Sequence, residues 1–175
     1  MANNLHIIIN TNQGEIKVAL FSDQAPITVA NFLTYISEKR FDASGFFRIV
    51  TQHNANQPED KNTQIQVIQG GLAPGDKRLL SGIEHESTQS SGISHTHGTI
   101  SMARFEPGTA DGSFFFCIGD QPELDFGGKR YDDGLGFAAF GRIVNGFDVL
   151  EKIYQLAQPQ EYLDPPIKIH HIRLA

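Results

Sequence analysis

Leu5-His6-Ile7-Ile8-Ile9-Asn10, then Asn12-Gln13-Gly14, then Glu15-Ile16-Lys17-Val18-Ala19-Leu20-Phe21 is the stretch that decides the fold class. Two runs rich in β-branched residues flank a short polar turn, and Gly14 stands where a hairpin needs positive φ. The chain therefore starts as antiparallel sheet.

Working outward from this hairpin, short β-type runs recur at residues 45–50, 65–69, 98–104, 114–118, 137–144 and 167–174, which with the opening pair makes eight strands. Two stretches have helical spacing instead. In residues 28–39 the apolar positions are Val29, Phe32, Leu33 and Ile36, with Pro26 just before them and Thr28 as the expected N-cap. In residues 147–156 Val149, Leu150, Ile153 and Leu156 share one face after a turn at Asn145-Gly146. Eight strands and two amphipathic helices predict a mainly β protein, a closed eight-stranded antiparallel β-barrel capped by two α-helices, one at each end. Residues 51–64, full of Asn and Gln, and 73–96, carrying Ser, Glu and His, form long polar loops. Loops of that length in a small domain are commonly functional or mobile.

Composition narrows the function classes. At 175 residues the chain fits one domain, 1–175, and thirteen Phe against no Trp means that Phe must fill the core. The net charge is −6 and the basic residues are scattered singly or in pairs, which argues against nucleic acid as a partner. No apolar run approaches the roughly twenty residues of a membrane-spanning helix, so no membrane partner is expected. The N-terminus lacks the basic start and apolar stretch of a secretion signal, consistent with a cytoplasmic protein or a periplasmic one whose signal has been removed. Cys117 stands alone between Phe116 and Ile118, which excludes an intramolecular disulfide and fits a buried small residue.

Read in order, Ala25-Pro26-Ile27-Thr28-Val29-Ala30-Asn31-Phe32, Phe46-Phe47-Arg48-Ile49-Val50, Ile68-Gln69-Gly70-Gly71 and Gly98-Thr99-Ile100-Ser101-Met102-Ala103-Arg104 resemble the successive signatures of the cyclophilin-type peptidyl-prolyl cis-trans isomerases. Gly112-Ser113-Phe114-Phe115-Phe116, Glu123-Leu124-Asp125 and Phe140-Gly141-Arg142-Ile143-Val144-Asn145-Gly146-Phe147-Asp148-Val149 continue the likeness over nearly the whole chain. Each string is weak by itself; their conjunction in one order is specific. The resemblance implies a Phe-rich barrel with its active site on the outer surface, where a shallow apolar pocket takes a proline ring beside an arginine. It implies catalytic roles for Arg48 and Gln69. It further implies substrate contacts from Phe47, Val50, Val67, the backbone of Ala103 and Arg104, Phe114, Phe116, Glu123, Leu124 and Phe137. Phe116 is assigned to the pocket and Phe115 to the barrel interior. Proline-containing polypeptides are the implied substrates, with no cofactor, and a monomer is expected.

Several positions depart from the family pattern. Phe47 stands where His is common, Gln66 where the pocket has Phe, Phe114 where Gln is typical, Glu123 where Trp or Phe is frequent, and Phe137 where His or Tyr is common. These changes predict reduced isomerase activity and weak binding of the family's cyclic-peptide inhibitor. The alternative they leave open is a proline-segment binding or chaperone-like module with little or no turnover. The segment 51–64 lies between Arg48 and Gln69 in sequence and is expected to overhang or reshape the pocket.

Other chemistries fare worse. His95-Thr96-His97, His170-His171, His85 and Glu86 offer metal-ligating side chains, but without paired cysteines or a helical His-Glu-x-x-His arrangement no metal site is assigned, and the histidines read as solvated loop residues. No Gly-x-Ser-x-Gly elbow appears. Asp132-Asp133-Gly134 has too few carboxylates for a calcium loop.

Overall fold

The computed structural model describes residues 4–55 and 64–175. The opening hairpin forms as expected, with β1 (Leu5–Thr11) paired antiparallel to β2 (Gly14–Leu20). Then follow α1 (Pro26–Ser37), β3 (Ser44–Val50), β4 (Val67–Gly71), a one-turn helix α2 (Thr88–Ser91), β5 (Thr99–Met102), β6 (Ser113–Cys117), β7 (Ala138–Asn145), α3 (Phe147–Tyr154) and β8 (Tyr162–Leu174). A short 3-10 turn, Pro122–Leu124, lies between β6 and β7. The strands close into a barrel in the order β1-β2-β7-β5-β6-β4-β3-β8, every pairing antiparallel. No helix among the described residues is long and apolar enough to cross a membrane.

Strand alternation sorts side chains into an interior set and an outer set. Ile7, Ile9, Ile16, Val18, Leu20, Ile68, Ile100, Phe114, Phe116, Phe140, Ile169 and Ile172 belong to the interior cluster. Phe32 and Tyr35 of α1 and Val149, Leu150 and Ile153 of α3 join it, so both helices cover the barrel as the periodicity predicts. Phe114 is the hub. Phe32, Phe41, Phe46 and Phe116 meet its ring nearly edge-on at centroid separations of 5.4, 5.7, 6.1 and 6.0 Å, contacts worth about 0.5–1.5 kcal/mol each beyond the buried area. The space for Phe46 comes from Gly70, where an added Cβ would lie 2.5 Å from the Phe46 ring.

Two local readings change. The N-terminus of α1 is not capped by Thr28. Its cap residue is Ala25, which makes no side-chain bond, and the exposed amides are satisfied from a distance. Glu86 accepts from Thr28 N at 2.6 Å, from Thr28 Oγ1 at 2.6 Å and from Ile27 N at 3.2 Å. The loop 73–96 is accordingly tied to the helix at this point. β8 starts at Tyr162 and not near Ile167, because Pro165-Pro166 hides an extended run that in fact pairs Arg48 with Tyr162. Of the segment 51–64, expected to overhang or reshape the pocket, residues 56–63 lie outside the described ones, and residues 51–54 line a different hollow.

Candidate active site

The site depends on a change of phase in β3. Phe46 and Ile49 both face the interior, which plain alternation forbids at a spacing of three. The register of β3 against both β4 and β8 shifts between Phe46 and Arg48, so Phe47 is the extra residue of a bulge and Arg48 turns outward. Arg48 pairs with Gln69 on β4, Gln69 with Phe115 on β6, and Phe115 with Ser101 on β5. A single outward row thus runs Arg48, Gln69, Phe115 across three strands and ends on Ser101.

Above this row lies a cleft of about 430 Å³. Beneath it lies a second cluster outside the barrel, formed by Val50, Ile65, Val67, Phe115, Cys117, Leu124 and Phe137, of which Ile65, Val67, Phe115, Leu124 and Phe137 line the cleft. The rings of Phe115 and Phe137 meet edge-on at 5.8 Å. Burial pushes the Cys117 thiol well above its ordinary range, so it packs as an apolar group. Arg48 enters the cleft beside these rings. Its Nη1 donates to Gln69 Oε1 at 3.0 Å, and its Nε and Nη2 both donate to Glu161 Oε2, at 3.2 and 3.0 Å. Gln69 is itself held by Ser113, its Nε2 donating to Oγ at 2.8 Å. Among the described residues these bonds take three of the five N–H groups of the guanidinium and leave two. The site therefore joins an apolar patch within the cleft to a fixed, permanently charged donor.

A family model for "Cyclophilin type peptidyl-prolyl cis-trans isomerase/CLD" matches residues 6–174. The chain belongs to the cyclophilin family. It is 31% identical to peptidyl-prolyl cis-trans isomerase B of Escherichia coli over 152 residues, 86% of this chain and 85% of that one. It is 28% identical to a peptidyl-prolyl cis-trans isomerase of Acinetobacter baylyi over 177 residues, 98% of this chain and 86% of that one. In fold it resembles a cyclophilin type isomerase of Cryptosporidium parvum, with TM-score 0.76 at 20% identity over 98% of each chain. A second structure of that protein, described as in the presence of the dipeptide ala-pro, gives TM-score 0.74 at 22% identity over 97% of this chain and 98% of that one.

Of the residues expected at the site, this cyclophilin brings Arg48, Gln69, Val67, Ala103, Arg104, Leu124 and Phe137 together around one cleft. The phenylalanines of β6 are the main correction. Phe114 and Phe116 are fully buried in the barrel, and Phe115 faces the cleft. Ser113 faces it too, so the polar outward position on this strand is Ser113, one residue before Phe114. Phe47 does not line the cleft; its ring stacks on Tyr162 at 6.4 Å. Val50 lies in the outer cluster without lining the cleft. Glu123 turns away and accepts from Lys129 N at 2.8 Å, and Gln66 accepts from the Tyr154 hydroxyl at 3.4 Å on another face. Ile65, two residues before Val67, lines the cleft, whereas Gln66, which stands where the family pattern has Phe, does not.

The edge contact expected of Arg104 is through its backbone; its side chain has a separate task. Its side chain is 1% exposed and bound into the 126–136 loop. Nε and Nη2 donate to Gly136 O at 3.0 and 2.6 Å, and Nη1 and Nη2 each lie 3.0 Å from a carboxylate oxygen of Asp133. The guanidinium carbon sits 4.4 Å from the Tyr131 ring centre and 5.1 Å from that of Phe137. This clamp sets Tyr131 and Arg130 at the cleft wall. Ala103 N already donates to Ser113 O at 3.0 Å, so that amide serves the barrel and is not available to an added strand.

The histidines resolve into separate settings. His95 is buried; its Nδ1 lies 2.7 Å from Asp125 Oδ1 and its Nε2 2.8 Å from Ser101 Oγ. The three side chains have the connectivity of a hydrolytic triad, but Ser101 is 0% exposed and cannot meet a substrate. The set is instead a brace behind the cleft, since His95 stacks on Phe115 at 6.0 Å. His97 accepts from Gly119 N at 2.8 Å, and His85 Nε2 lies 3.2 Å from Leu135 O. No group of three or more His, Cys, Asp or Glu side chains suited to a metal occurs among the described residues.

Proposed function

We propose that the cleft beside Arg48 is where this isomerase holds a proline-containing segment and lowers the barrier to rotation of its X-Pro bond. Amide resonance sets that barrier at about 18–20 kcal/mol, and no covalent bond has to be made or broken to cross it. A catalyst need only favour the twisted amide over both planar forms; lowering the barrier by about 7 kcal/mol accelerates rotation by about five decades.

In the twisted form the prolyl nitrogen becomes pyramidal and regains a lone pair, so a donor aimed at it acts on the transition state and not on the ground states. Arg48 supplies such a donor. Its bonds to Gln69 and Glu161 restrain the guanidinium from two sides, and its planar fork suits this role better than the point charge of a lysine. The pyrrolidine ring would rest on Phe115, Val67, Leu124 and Phe137, burial worth on the order of 1–3 kcal/mol, enough for reversible capture. The observation that carries the reading is the placement of a doubly anchored arginine on the same outward row as Phe115. A panel of X-Pro peptides in an isomerase assay tests it: turnover is expected, and line positions of bound peptide without cis-trans exchange would support the binding module instead.

A further inference from the structure

A flexible arginine makes a poor catalytic donor unless something keeps it aimed, and here the restraint comes from the far end of the chain. Glu161 lies 113 residues from Arg48, yet it is tied to β3 twice. Its main-chain oxygen accepts from Ile49 N at 2.8 Å, and its Oε2 takes both Nε and Nη2 of Arg48. Its side chain is 5% exposed and does not line the cleft. Gln69 holds the guanidinium through Nη1, so two acceptors at different edges stop it from turning about its last bond. Arg130 adds a reason for a carboxylate at this place: it lies in the same cleft wall, and burial and then the like charge of Arg48 draw its proton affinity down, while Glu161 opposes them.

We propose that Glu161 is a positioning residue of the isomerase, which fixes Arg48 so that its two remaining N–H groups face the prolyl amide. This rests on the assignment of Arg48 to that amide. Glu161 itself touches no substrate.

The test is E161A beside E161Q, with steady-state isomerisation, thermal unfolding and the Arg48 Nε–H resonance read on each. E161A should lower kcat about tenfold or more with KM within about twofold, because a misaimed group forfeits orientation and not ground-state binding. E161Q, whose amide oxygen can still accept both N–H groups, should stay within about threefold of the parent. The Nε–H signal should be protected in the parent and E161Q and lost in E161A. Parent-like kcat in E161A, or a loss in E161Q as deep as in E161A, overturns the proposal. Should E161A fail to fold, E161Q decides alone: a retained rate with a protected Nε–H supports it, and loss of either contradicts it. An R48A variant as fast as the parent would overturn the assignment of Arg48 instead, so the two failures are distinguishable.

Discussion

Phe114 and Phe115 are neighbours of identical chemistry with opposite tasks, and the structure predicts opposite consequences for removing them. Phe114 is the hub of the barrel interior, so Phe114→Ala should cost about 3–5 kcal/mol of stability, measured by denaturant unfolding. Phe115 belongs to the outer cluster and lines the cleft. Phe115→Ala should cut kcat/KM about tenfold or more through the lost ring contact, and the loss should exceed that of Phe114→Ala measured on the folded fraction. Three consecutive phenylalanines carry no parity in sequence: alternation says that one or two face inward without saying which. The decision is made by neighbours, since Ser113 reaches Gln69 and Phe114 fills the space among Phe32, Phe41 and Phe46. Arg48 was legible only as part of a motif, because the bulge at Phe47 that turns it outward leaves no mark in the residue pattern.

At the scale of elements, the strands and the two larger helices were legible because period two and period 3.6 differ strongly over runs of this length. What escaped was coupling between distant segments. Nothing near α1 announces that Glu86 satisfies its first amides, and nothing in the proline pair of β8 announces that Glu161 and Tyr162 complete the site from the strand's start. Glu86→Ala should lower stability by about 1 kcal/mol, as loss of a helix cap does, seen as a melting temperature lower by about 2–4 °C. Asp132-Asp133-Gly134 likewise gives no sign in sequence that Arg104 binds its loop to the cleft wall.

For the molecule as a whole, the acid limb of stability should come from carboxylates held by arginines. Hydrogen bonds from Arg173 hold the Asp42 carboxyl below its usual range, at Oδ1 and Oδ2 distances of 2.7 and 2.9 Å, and Arg78 does the same for Asp76. A group whose proton affinity is lower when folded contributes above its unfolded pKa of about 4 and loses that contribution as pH falls through the folded value. Asp111 works in the opposite sense, because burial raises its carboxyl and protonation relieves the cost. Asp42 joins the segment before β3 to the end of β8, both parts of barrel closure. Asp42→Asn should therefore flatten the decline of unfolding free energy between about pH 5 and pH 2, with the difference shrinking in high salt because the pair is partly exposed.

The account as a whole depends on one guanidinium acting on a prolyl nitrogen while the amide is twisted. Two-dimensional exchange spectroscopy on an X-Pro peptide, with the parent and Arg48→Ala at matched saturation, reads that step itself. The account predicts that the variant keeps its fold and still broadens the peptide's lines through binding, while its cis-trans exchange rate falls by about two decades or more, the scale of a lost transition-state donor. Exchange as fast with alanine as with arginine would contradict it.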